Sequence, residues 1–119
     1  MDGFVVIVEG KNDAKRLRAF LPETVPIVMT YGTPSQERLE RLKWMARHRQ
    51  VIVMTDADAA GKNIRRRLKE VFPDALDLYI KPGFNGVEHT PLDYMEDRFR
   101  RIGVLPIEGP VAEDSTTKG

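Results

Sequence analysis

Four short runs of β-branched and aliphatic residues constrain this chain more than anything else in it. They are "FVVIV" (4–8), "PIVMT" (26–30), "VIVMT" (51–55) and "LDLYI" (76–80). Continuous apolar runs of this length suit strands buried on both faces. Between them the pattern changes to a helical period. Over 12–21, Ala14, Leu17 and Phe20 or Leu21 fall on one face. Over 33–48, Thr33 sits at an N-cap position, Pro34 at the first helical position and Gln36 where a capping box needs it. Leu39, Leu42, Met45 and Ala46 then form an apolar stripe, and Trp44 reads as core or half-buried. Residues 59–71 predict a third helix with Ala60, Ile64, Leu68 and Val71 inward. A turn-rich stretch, "KPGFNGVEH", precedes a fourth helix over 90–103, which opens Thr-Pro and closes at Gly103.

Strands alternating with helices predict an α/β fold. The expectation is one compact Rossmann-like domain over residues 1–103, with a four-stranded, mainly parallel sheet and helices on both faces. From 104 to 119 the pattern fails and a disordered tail is expected. At 119 residues the chain suits a single domain. It has no cysteine, which excludes disulfides and thiolate metal sites and fits a reducing compartment. No apolar run approaches the ~20 residues of a membrane helix, and no secretory signal pattern opens the chain. A cytoplasmic protein with no membrane contact is expected.

In open α/β sheets the ligand site lies beyond the carboxyl ends of the strands, where the strand order reverses. Glu9 directly follows the first run, and Asp56 and Asp58 directly follow the third. A strand order of 2-1-3-4 brings all three acids to one crevice. Crowded carboxylates need a cation, bound protons or a basic neighbour. Oxygen donors with no adjacent Cys suit a hard ion, Mg²⁺ or Mn²⁺, and hence phosphodiester chemistry. An Asp-x-Asp spacing in extended chain points both side chains the same way. The simpler reading is that an Asp at a strand-to-helix junction is an N-cap. Net charge is only +1, so setting the three acids aside leaves a modestly basic frame that can attract a phosphate backbone. Lys62, Arg65, Arg66 and Lys69 recur at helical spacing as a cationic stripe, which reads either as phosphate contact or as a solvated face. Lys11 is either a phosphate ligand or an exposed loop lysine. His48, among arginines at a helix end, reads as a surface residue.

"VIVEGKND", "TDADAAGKNIRRRL" and "GVEH" together resemble the TOPRIM domain of topoisomerases, bacterial primases and several nucleases. The resemblance covers residues 4 to about 100 and is closest to the small ribonucleases that mature 5S ribosomal RNA. It implies Glu9 as general acid or base and as a metal contact, with Asp56 and Asp58 holding Mg²⁺ (or Mn²⁺). Phosphate contacts are expected from Lys11, Lys62, Arg65, Arg66 and His89, with the resemblance supporting Arg65 and His89, and Asp13 and Glu88 are expected in the outer shell. Two departures stand out: Ala57 where many members have Pro, and Lys62 where relatives are often acidic. The maturase ribonucleases also continue well beyond this length with a region that grips RNA. A protein partner supplying substrate recognition is therefore part of the expectation. The leading expectation is a Mg²⁺-dependent nuclease on structured RNA; the alternative is a non-catalytic module binding nucleic acid or protein. A receiver-type aspartyl phospho-acceptor fits the acid spacing poorly.

Overall fold

The structure, a computed structural model, describes residues 3–56, 58–79 and 90–104. Eight elements alternate: β1 (Phe4–Val8), α1 (Lys11–Arg18), β2 (Ile27–Met29), α2 (Gln36–Met45), β3 (Gln50–Thr55), α3 (Ala59–Val71), β4 (Leu76–Tyr79) and α4 (Leu92–Arg101). The strands form one sheet in the order β2-β1-β3-β4. All three pairings are parallel, with Ile7 opposite Val28 on one side and Val53 on the other. The expected order and layers are therefore those observed, and the sheet is wholly rather than mainly parallel.

Alternation along β1 explains why helices cover both faces. Val6 and Val8 point into one core with Ile52, Met54 and Leu78, closed by Leu17, Met95 and Phe99 from α1 and α4. Val5 and Ile7 point into the other with Val51 and Val53, closed by Leu39 and Leu42 of α2 and Ile64 and Leu68 of α3. Phe20 meets Phe99 edge to face at 5.6 Å between centroids, a geometry aromatic quadrupoles favour. Burying one such side chain contributes about 1.5–3 kcal/mol, so both faces of β1 matter to stability.

Several local expectations are corrected. Helix α2 starts later than Thr33-Pro34 suggests, because Ser35 supplies the cap: its Oγ accepts the Arg38 N–H at 3.1 Å. Met45 turns out of the stripe, and Trp44 is 64% exposed rather than core. Ala60 is exposed and its neighbour Gly61 is buried instead. The fourth helix opens at Leu92; the buried Thr90 precedes it, its carbonyl accepting from Arg16 at 2.8 Å. Gly103 is the C′ residue as expected, at φ +95°. Val104, assigned to the tail by pattern, is 2% exposed. Its N–H returns to the Phe99 carbonyl at 3.0 Å while Gly103 N–H returns to Arg100, a Schellman closure that carries Val104 into the core. Glu88, His89, Ala57 and residues 105–119 lie outside the described residues, so the "GVEH" and tail expectations do too.

Candidate active site at the carboxyl ends of β1 and β3

Because β1 and β3 are in register with Ile7 opposite Val53, their ends deliver Glu9 and Asp56 to neighbouring positions. The Glu9 carboxylate accepts the Asp56 backbone N–H at 2.8 Å. The Glu9 backbone is held from the other side: its carbonyl accepts the Tyr31 N–H at 2.7 Å, continuing the ladder to β2. One glutamate thus joins the ends of β1, β2 and β3. Asp13 steadies the turn that follows, its Oδ2 accepting the Gly10 N–H at 3.2 Å.

Asp58 does what the simpler reading asks of it. It is the N-cap of α3, and its Oδ1 accepts the Gly61 N–H at 2.7 Å. A carboxylate has about four acceptor positions, so capping does not exhaust it. Gly61 fixes the other acid. A Cβ there would lie 2.1 Å from the Asp56 carbonyl oxygen, so only glycine lets α3 approach the Asp56 backbone this closely.

Electrostatics bind the acids into one group. The Glu9 carboxyl is pushed above the ordinary carboxylate range, first by partial burial and then by the negative charges of Asp56, Asp58 and Asp13; the Asp56 N–H opposes the shift. Among the described residues no three acids or histidines pack as a closed metal cage. The Glu9 carboxylate meets the Asp56 backbone N–H directly, and the charges of Asp56 and Asp58 act on it through space. The donor chemistry fits a hard divalent ion: the donors are carboxylate oxygens, and they repel one another without a counter-charge. Mg²⁺ typically takes only one or two carboxylates and fills its shell with water.

The expected cationic stripe on α3 divides. Lys62 and Arg66 are exposed, with Arg66 bonded to Asn63 and near Glu70 at 3.9 Å. Arg65 is turned inward at 9% exposure. Its guanidinium donates to the Thr55 carbonyl at 3.3 Å and the Leu78 carbonyl at 3.4 Å, and lies 3.7 Å from Asp77. Lys69 reaches the same Asp77 at 3.2 Å and donates to the Ala75 carbonyl at 2.6 Å. Arg65 therefore braces the ends of β3 and β4, one residue before Asp56, instead of facing solvent. The signal for this was Asp77, an acid in the middle of an apolar strand. Lys11 is exposed at the first position of α1.

Residues 4–87 match the Toprim domain family. The chain belongs to the Toprim family. A solved small TOPRIM domain protein from Bacillus stearothermophilus superposes with a TM-score of 0.81 at 34% identity, covering 90% of this chain and 91% of that one. The uncharacterized protein YusF of Bacillus subtilis is 37% identical over 87 residues, 73% of this chain and 60% of YusF. Ribonuclease M5 of Fusobacterium nucleatum is 33% identical over 92 residues, 72% of this chain and 50% of the ribonuclease. This Toprim chain thus spans about half to three-fifths of the curated relatives it matches. No described helix of the Toprim domain is long and apolar enough to cross a membrane.

Proposed function

We propose that this chain is a divalent-metal-dependent phosphodiesterase acting on structured RNA. The observation that carries the reading is the Glu9 carboxylate, raised in pKa and held on the Asp56 N–H beside the charges of Asp56 and Asp58. Similarity to ribonuclease M5 supports RNA as the substrate class.

Asp56 and Asp58 would hold Mg²⁺ or Mn²⁺, with Glu9 as the third contact. When bound, the ion supplies Lewis-acid stabilisation of phosphoryl oxygens and lowers the pKa of a coordinated water. Glu9 is suited to move a proton because burial and like charge bring its pKa nearer the operating pH. The Asp56 N–H orients the carboxylate through Oε2 and leaves Oε1 for the transferred proton. Exposed Lys11, Lys62 and Arg66 would hold flanking phosphates, with His89 proposed as a further phosphate contact and Glu88 in an outer role. Arg65 keeps the β3 end in place. The cysteine-free composition suits cytoplasmic work, and a protein partner would supply further RNA grip.

Cleavage of a structured RNA with Mg²⁺, set against a DNA hairpin, tests the reading. Glu9→Gln is expected to lower the rate by roughly 10²–10⁴, the usual worth of general acid–base catalysis. Asp56→Asn is expected to raise the metal concentration needed. Undiminished cleavage in both variants would eliminate the mechanism. A second reading, a non-catalytic binding module, is favoured by the commitment of Asp58 to helix capping. RNA binding without turnover at any Mg²⁺ or Mn²⁺ concentration would select it.

A further inference from the structure

The carboxyl end of α2 is finished in a way that packing does not require. The helix buries Leu39, Leu42 and, just beyond it, Ala46, yet Trp44 is 64% and Met45 49% exposed. The Arg47 guanidinium lies 3.4 Å from the Trp44 ring centroid, covering one face of the indole. Arg41 and Trp44, three residues apart, share a helix face, and Arg47 follows in the turn just past the helix end. Lys43 on the helix and Arg49 in the turn before β3 add positive charge beside them. Beside the helix runs a cleft of about 440 Å³, lined by Val28, Trp44, Met45, Arg47, His48 and Arg49 among others. Three acids lie near: Glu37, four residues before Arg41 on the same helix face, Glu40, bonded to Gln36, and Asp74, across a neighbouring cleft from Lys43.

We propose that this surface is a second nucleic-acid contact, at the sheet end opposite the acids, which grips a single-stranded segment of RNA. Trp44 offers its open face for base stacking, and Arg41, Lys43, Arg47 and Arg49 supply the phosphate contacts. A stacked base with flanking cations is the chemistry of single-strand binding. It needs unpaired bases, which structured RNA presents in loops and ends. A second copy of this chain fits the surface less well. A two-fold contact there would set Arg41 and Arg47 against their own counterparts. The proposal rests on RNA as the substrate class. It adds that the RNA must reach past the six residues of β3, about 20 Å at the usual strand rise.

Trp44 is the one tryptophan of the chain, so its emission reports this surface alone. The full chain is titrated with a short oligouridylate in chelator at low salt, by Trp44 emission and by anisotropy of the labelled oligonucleotide. Saturable quenching that weakens steeply with salt is expected. Trp44→Ala should weaken binding roughly tenfold. Arg41→Glu with Arg47→Glu should weaken it at least about as much. These positions are exposed, so a normal unfolding midpoint confirms that each variant folds. Binding with unchanged Trp44 emission, or variants that bind like wild type, overturns the proposal. Emission that changes with protein concentration alone, before RNA is added, points to self-association and also overturns it. RNA cleavage alongside a silent Trp44 removes this surface and leaves the nuclease reading intact. Quenching with the expected variant losses but no cleavage does the reverse.

Discussion

At position 61 a methyl group would meet the Asp56 carbonyl oxygen at 2.1 Å. In an unconstrained helix interior, Gly→Ala gains about 1 kcal/mol. Here the obstructing atom is backbone and cannot rotate away, so α3 or the Asp56 peptide must move. Gly61→Ala is therefore expected to destabilise by about 1–3 kcal/mol, as overpacking does, and to lower cleavage by shifting Asp56 from Glu9. Urea unfolding and cleavage assays check both, with the exposed Ala60→Gly as a control that costs only propensity, about 1 kcal/mol. A fully active, fully stable Gly61→Ala would show that the approach is not tight. The sequence makes Gly61 conspicuous by its place after two acids, but the reason for it is a distance between two elements. Asp58 shows the same limit. Its spacing from Asp56 suits a metal site and its junction position suits a cap, and only the coordinates show that it caps α3 while lending its charge to Glu9.

At the scale of the element, α3 shows why helical spacing alone misplaces a cation. Lys62, Arg65, Arg66 and Lys69 look equivalent on a helical wheel. Yet β4 carries Asp77 beneath the helix, and Arg65 turns to it and to the Thr55 and Leu78 carbonyls. Asp77 also takes Lys69, so two cations share one half-buried acid. Removing the acid leaves Arg65 buried with its counter-charge gone, a situation that costs more than the pair contributes. Asp77→Asn is expected to lower stability by about 1–3 kcal/mol, whereas Lys62→Glu stays within about 0.5 kcal/mol as an exposed change. Denaturant midpoints distinguish them, and a neutral Asp77→Asn would show that Arg65 is held by carbonyls alone. Element existence was legible because each strand is a continuous β-branched run. Element ends were not. Ser35 competes with Thr33 for the α2 cap, and Val104 enters the core only through the Gly103 turn. Trp44 and Met45 are exposed although Ala46, the next residue, is buried in the core with Leu39 and Leu42.

For the whole molecule, the parallel order β2-β1-β3-β4 decides most of what can be inferred, since it alone makes Glu9 and Asp56 neighbours. Strand-helix alternation and the handedness of crossovers narrow the possible topologies; the 2-1-3-4 order is the one among them that makes the acids converge, and it is the order observed. The electrostatic price of the arrangement falls on the fold itself. The folded state holds the Glu9 proton more tightly than the unfolded chain does, because its carboxyl pKa is raised. Metal-free stability from this group is therefore greatest at low pH. It declines as pH rises from the ordinary carboxylate value, about 4.3, through the raised folded value. Glu9→Gln keeps an acceptor for the Asp56 N–H and removes the charge, so the variant should lack this decline and be the more stable protein at neutral pH in chelator. A bound divalent ion acts in the opposite sense, because it favours the ionised carboxylates. Mn²⁺ at a hundredfold excess over its dissociation constant should stabilise the wild type by about 2.7 kcal/mol. That gain should grow between acidic and neutral pH as Glu9 gives up its proton, and should shrink in Asp56→Asn. Thermal unfolding of the wild type, Glu9→Gln and Asp56→Asn, with and without Mn²⁺ across that pH range, measures each term. A Mn²⁺ shift that is the same in all three proteins at every pH would mean that the ion binds elsewhere, and that the acids at the ends of β1 and β3 do not form its site.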